Sequence, residues 1–206
     1  MLRIGLTGGI ASGKSTVAFL LREADCLVLE ADPLGHEMLE PGQASYDEIV
    51  REFGEEILDA DEKVDRAKLG AIVFADSAKR TRLNQILHPR ILEVVRKWFT
   101  ALERPGGPDF AFVEAALILE AGFQKEFGRI IVCWCRPEQQ IERLLERGLS
   151  PEQAQLRIAA QMPIDEKRGM ADYVIDCSGL VEDTARQVAH VVEQLRQSGA
   201  KERNLS

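Results

Sequence analysis

The chain has 206 residues, and its 34 acidic against 26 basic side chains give a net charge of −8. That length suits a single domain carrying an insertion, at roughly 100–200 residues per domain. The acidic balance argues against a general nucleic-acid or anionic-lipid surface. No apolar run approaches the ~20 residues of a membrane span, and Gly8-Gly9 interrupt the N-terminus before a signal-peptide core could form, which points to the cytoplasm. Cys26, Cys133, Cys135 and Cys177 are too sparse for a disulfide scaffold and lack the second close pair of a zinc site, so they read as core thiols.

Taken in chain order, residues 2–7 form a short apolar run that enters glycines, the pattern of a buried strand. From Lys14 onward, Val17, Leu20 and Leu21 fall at helical spacing. A second strand is expected over 26–30, ending near Asp32-Pro33. A long helical stretch follows, with Leu83, Ile86, Leu87, Ile91, Leu92, Val95, Trp98 and Leu102 on one stripe and a kink expected at His88-Pro89. Residues 104–108 break the chain before a third strand at 110–113. A fourth strand is expected at 130–134 and a fifth at 173–175. Between these lies a helical excursion over about 137–162, in which Ser150-Pro151-Glu152-Gln153 carries the cap, first-position proline and third-position amide of a helix start. Residues 181–195 close the chain as an amphipathic helix, with a frayed tail expected after Gly199. Short branched strands alternating with helices predict an α/β fold whose parallel five-stranded sheet is covered on both faces.

Gly8-Gly9-Ile10-Ala11-Ser12-Gly13-Lys14-Ser15, followed by Thr16, matches G-x-x-x-x-G-K-[ST] between a predicted strand and a predicted helix. Glycines let successive N–H groups turn inward around an anion, and the following helix adds its positive end. In such a loop Lys14 reaches the β- and γ-phosphates and the Ser15 hydroxyl can bind Mg²⁺. The pattern therefore predicts a phosphate-binding loop in a three-layer P-loop NTPase-type fold. A guanine-reading N-K-x-D is missing, which disfavours a GTPase.

Ligands of open parallel sheets sit beyond the carboxyl ends of the strands. Asp32, just past the second strand, suits two roles: accepting a proton from a substrate hydroxyl, or capping the helix that Pro33 begins. Glu114, at the end of the third strand, suits either an acid holding metal-bound water or a solvated strand end. Arg143 and Arg147 share one helical face, a like-charge pair that fits a lid meeting phosphates or a charged surface tempered by Glu142 and Glu146. Arg157 and Lys167 are weaker candidates for the same clamp. His88 is a lone histidine on an apolar helix, which ordinarily means packing, and His36 is either a substrate contact or a helix-face residue.

The motifs together resemble the dephospho-coenzyme A kinase family over nearly the whole chain. Beyond residues 6–16, the segments that carry the likeness are Glu30-Ala31-Asp32, Glu40-Pro41-Gly42 and Leu87-His88-Pro89. Further along come Leu117-Ile118-Leu119-Glu120, residues 140–144, residues 157–161, and Ala171-Asp172-Tyr173-Val174-Ile175-Asp176. The resemblance implies Mg²⁺-dependent transfer of the ATP γ-phosphoryl to the ribose 3′-hydroxyl of dephospho-coenzyme A, the last step of coenzyme A synthesis. It implies one kinase domain over 1–206, with a helical substrate-binding insert over about 33–102 and a small helical lid over about 137–162. In it Asp32 matches the family's proposed base, Arg143 and Arg147 the lid arginines, and His88-Pro89 a substrate-side motif. The chain would be a monomer or a weak homo-oligomer. Three positions depart from the pattern: Glu30 replaces an Asp, Ala116 a proline, and Cys177 an Asn that would lie close to the adenine. The alternatives are a P-loop kinase of a nucleoside or nucleotide and a non-catalytic, ATP-gated binding module.

Overall fold

A computed structural model describes residues 1–203, with side chains described through residue 198. The chain resolves into two compact units, one formed by Met1–Glu30 with the segment from Trp98 onward, the other by Ala31–Lys97. The first unit contains the sheet. Its strands are β1 (Leu2–Gly8), β2 (Val28–Glu30), β3 (Phe110–Glu114), β4 (Arg129–Trp134) and β5 (Tyr173–Asp176). They lie in the order β2-β3-β1-β4-β5, and all the pairings are parallel.

All five expected strands form, with shifted ends. The second is shorter than 26–30 because the Cys26 amide turns back to the Leu21 carbonyl (3.0 Å), closing the end of helix α1 (Lys14–Glu23). Asp25, at φ 57°, makes the same turn.

Side chains alternate across the sheet, as the pleat requires. On β4, Ile131 and Cys133 join a core with Val17, Ala18 and Leu21 of α1 and with Val188, Val191, Val192 and Leu195 of helix α9 (Val181–Arg203). Ile130 and Val132 point the other way, into a cluster with Ile118, Leu119 and Ile164. Ile164 opens helix α8 (Ile164–Gly169). The result is the expected sheet between helical layers. The four cysteines are buried and free, as the sequence predicts. Helix α9 continues past Gly199 to Arg203, so the tail does not fray where expected; residues 204–206 lie outside the described residues.

The excursion after β4 is two helices, α6 (Pro137–Glu146) and α7 (Pro151–Ala159), followed by α8. The start of α7 is as predicted: Ser150 Oγ accepts from the Gln153 amide (3.2 Å) and Gln153 Oε1 accepts from the Ser150 amide (3.1 Å).

The second unit contains α2 (Ala31–Glu37), α3 (Tyr46–Phe53), α4 (Arg66–Ala75) and most of α5 (Ser77–Leu102). Its own core gathers Leu39, Ile49, Phe53, Ile57, Val64, Leu69, Val73 and Ile86. Asp65 caps α4, its Oδ1 accepting from Ala67 and Lys68 amides at 2.8 and 3.2 Å. Helix α5 is assigned as one helix of 26 residues with Pro89 inside it, where the sequence suggested a break in direction. Among the described residues no helix is long and apolar enough to cross a membrane.

Candidate active site

β1 delivers the chain to the loop and α1 leaves it. Gly13 stands at the start of α1 with φ 104°, a conformation that favours glycine, and no side chain caps the helix there. The first turn of a helix has amides without intrahelical acceptors. Here it carries no acidic residue and begins with Lys14, so the terminus keeps its positive end for an external anion. Lys14 Nζ lies 3.4 Å from the Gly9 carbonyl, folded back along the loop. Ser15 and Thr16 are exposed on the same turn. The buried Ser12 hydroxyl has no partner among the described residues, while its amide donates to the Gly9 carbonyl at 3.2 Å.

The loop is held from outside by Arg143 and by two glutamines to which the sequence assigned no role. Gln140 Nε2 donates to the Ile10 carbonyl and Gln161 Oε1 accepts from the Ile10 amide, both at 2.7 Å. Arg143 Nη1 donates to the Ala11 carbonyl (3.0 Å) and Nη2 to that of Cys177 (2.7 Å). The resemblance places this guanidinium on the lid; here it ties the loop's Ala11 carbonyl to that of Cys177. Arg147 terminates α6 and is exposed. Arg157, on α7, is half-buried.

Lys167, a weaker candidate for the phosphate clamp, is enclosed. Its side chain is 0% exposed, and Nζ lies 2.7 Å from Glu120 Oε1. It also donates to the Ala116 carbonyl at 2.8 Å and approaches that of Gly8 at 3.4 Å. Glu120 Oε1 accepts the Met162 amide at 3.0 Å as well. The buried cation therefore ties the end of β1 to the segment that follows β3, and it is remote from solvent.

Glu114 ends β3 in register with Leu6 of β1 and with Glu30 of β2, and it is buried rather than a solvated strand end. Among the described residues no cluster of three metal-ligating side chains exists. Hydroxyl and carboxylate oxygens, as on Ser15 and Glu114, suit a hard cation that keeps waters and phosphate oxygens in its shell.

In the second unit, Asp32 is exposed in the first turn of α2, which begins at Ala31. It is thus inside the helix and not the cap that Pro33 suggested. His36 follows one turn later on the same helix; partial desolvation and the charge of Arg66 lower its pKa, and Asp32 opposes them. His88 is half-buried within α5, and burial lowers its pKa. Pro89 beside it is exposed.

A family model described as "Dephospho-CoA kinase" matches residues 2–183. The chain belongs to the dephospho-CoA kinase family. A curated dephospho-CoA kinase of Carboxydothermus hydrogenoformans is 41% identical over 192 residues, covering 93% of each chain. Among solved structures, TT1252 from Thermus thermophilus superposes with a TM-score of 0.78 at 33% identity, covering 94% of this chain and 97% of that one. A dephospho-CoA kinase from Campylobacter jejuni gives 0.68 at 27% identity, covering 95% and 98%.

Membership of the dephospho-CoA kinase family gives meaning to the three departures. Glu30 is engaged by Arg22 (2.6 Å) on the sheet edge. Ala116 offers its carbonyl both to Lys167 and to Thr7 Oγ1, the latter at 3.2 Å. Cys177 packs into the core beneath α1, where a Cβ on Gly13 would lie 2.8 Å from its own. A hydrogen bond with Cys133 draws the Cys177 thiol below its ordinary range, while burial pushes Cys133 up. This side chain serves packing, and it has no amide to offer a base.

Proposed function

We infer that the protein transfers the γ-phosphoryl group of ATP to the ribose 3′-hydroxyl of dephospho-coenzyme A, giving coenzyme A and ADP. The observation that carries the reading is the uncapped, Lys14-bearing N-terminus of α1 behind a braced glycine loop, in a chain of this family. Phosphoryl transfer asks for positioning and charge rather than covalent help from the protein.

The loop from Gly8 to Thr16 and Lys14 hold the β- and γ-phosphates. The Ser15 hydroxyl, and Glu114 through water, would hold Mg²⁺, which would supply neutralisation of the phosphate charge when bound. Asp32 takes the proton of the 3′-hydroxyl as that oxygen bonds to the γ-phosphorus and the bond from phosphorus to the β-γ bridging oxygen breaks. His36, His88 and Pro89 belong to the acceptor side, within the insert over about 33–102. Arg143 keeps its charge beside the loop it holds, and Arg147 meets phosphate from the lid over about 137–162. The enzyme works in the cytoplasm as a monomer or a weak homo-oligomer.

Purified protein should convert ATP and dephospho-coenzyme A to ADP and coenzyme A. Failure with that acceptor, beside good turnover of a nucleoside or nucleotide, would reassign the substrate. Asp32→Asn should lower kcat by about 10²–10⁴-fold, the range of general base contributions, with ADP affinity unchanged; an unaltered kcat removes the base.

A further inference from the structure

Both backbone groups of Ile10, at the tip of the phosphate loop, are taken by side-chain amides. Gln140 Nε2–H meets its carbonyl and Gln161 Oε1 its N–H, each at 2.7 Å. Gln140 is 3% exposed and Gln161 half-buried, so solvent competes weakly for these groups. Gly9 accommodates the approach: a Cβ there would stand 2.3 Å from Gln140 Nε2. The neighbouring Ala11 is held at φ 58°, a conformation that costs an L residue energy, and Arg143 fixes its carbonyl. The Ile10 amide thus points to Gln161, leaving the rest of the loop, Lys14 and the first turn of α1 to meet an anion.

Gln140 lies in α6 and Gln161 just beyond α7. The two residues bracket both helices and attach them, at either end, to the same loop residue.

We propose that Gln140 and Gln161 form a positioning clamp that presets the loop tip for the nucleotide's phosphates, coupling α6, which carries Arg143 and ends at Arg147, and α7 to the loop. The clamp rests on the loop's role as the ATP site. Neither glutamine touches the reacting atoms. Without the clamp the Ile10 peptide groups return to water, and the nucleotide must order the tip as it binds.

The two positions call for opposite chemistry, an acceptor at 161 and a donor at 140, which supplies the test. Gln161→Met removes the acceptor and should raise both the ADP dissociation constant and the ATP KM about tenfold, the factor matching about 1.4 kcal/mol. The KM for dephospho-coenzyme A should stay within about twofold of its starting value. Gln161→Glu restores an acceptor and should recover most of the lost affinity. At the other position, Gln140→Glu sets a carboxylate against the Ile10 carbonyl and should weaken ADP binding more than Gln140→Met does. Thermal unfolding of each variant identifies any that fail to fold, and the Glu variants then decide the matter. Equal ADP affinity in Gln161→Met and the parent, no rescue by Glu at 161, or parallel rises in both KM values would overturn the clamp. ADP binding is read by calorimetry without an acceptor, so a mistaken substrate would leave this result standing.

Discussion

Removing one partner of the Lys167–Glu120 pair should reveal how much the molecule depends on it. Breaking a buried ion pair from one side costs about 3–5 kcal/mol, because the surviving charge stays buried alone. The two sides are unequal here, with Lys167 0% and Glu120 20% exposed. Glu120→Gln takes the Glu120 carboxylate away from the fully enclosed ammonium, so its cost should fall near about 3–4 kcal/mol. Lys167→Met keeps the stem's packing and leaves a carboxylate that water can reach and that the Met162 amide still serves. The Ala116 carbonyl also keeps Thr7 Oγ1. About 2 kcal/mol is expected there, reflecting lost hydrogen bonds to a charged group. At about 2–4 °C per kcal/mol for a chain of this size, Tm should drop by roughly 6–16 °C for Glu120→Gln and roughly 4–8 °C for Lys167→Met.

Added to Lys167→Met, the Glu120→Gln change should cost under about 1 kcal/mol, since the Glu120 carboxylate then has no ammonium to serve. Urea unfolding read by tryptophan fluorescence suits the test, because Trp134 Nε1 donates to Asp165 of α8 (2.7 Å), the helix that carries Lys167. If Lys167→Met proves the costlier single change, or if the two costs add within about 0.5 kcal/mol, the pair does not govern this region.

Other outcomes follow from the same geometry. Gly13→Ala puts a methyl 2.8 Å from Cys177 Cβ at φ 104°. It should cost about 1–3 kcal/mol in stability and weaken ADP binding in a titration; unchanged affinity would mean the loop has another working shape. Burial lowers the pKa of His88, so the unfolded chain takes up this proton before the folded one does. Stability from this source is complete above pH about 6.5 and fades as pH falls toward the folded value. Urea midpoints measured from pH 7.5 down to 5 should therefore fall less steeply in His88→Gln than in the parent, and identical slopes would refute the assignment.

The loop was readable because anion chemistry imposes a local spacing: glycines, lysine and hydroxyl must be neighbours in sequence to be neighbours in space. The central strands were readable for a related reason, the apolar runs of β1, β3 and β4 being buried on both faces. Element ends were less so. Nothing in Cys26-Leu27 announces that the Cys26 amide closes α1 instead of joining the ladder. Pro33 suggested a first helical position, yet α2 begins at Ala31. The supporting side chains were the hardest to see. Gln140 and Gln161 reach Ile10 across 130 and 151 positions of chain, and Lys167 reaches Gly8 across 159. The two glutamines had no role in the sequence, and Lys167 only that of a weaker clamp candidate, until the fold brought a backbone to them. Arg143 carried a signal, but its partners are carbonyls, which leave no mark in sequence.

The two outermost strands of the sheet are also the shortest, three residues in β2 and four in β5. Any border strand exposes a row of donors and acceptors on which a stray extended peptide could build. On β2 that row is brief and guarded. The Leu27 carbonyl is taken by the Phe112 amide, so the Val28 carbonyl points outward, and Arg22, while gripping Glu30, approaches it at 3.4 Å. The sheet that carries the nucleotide loop therefore ends in stubs that offer an extended peptide little to pair with, and β1, with the loop at its tip, has a strand on each side.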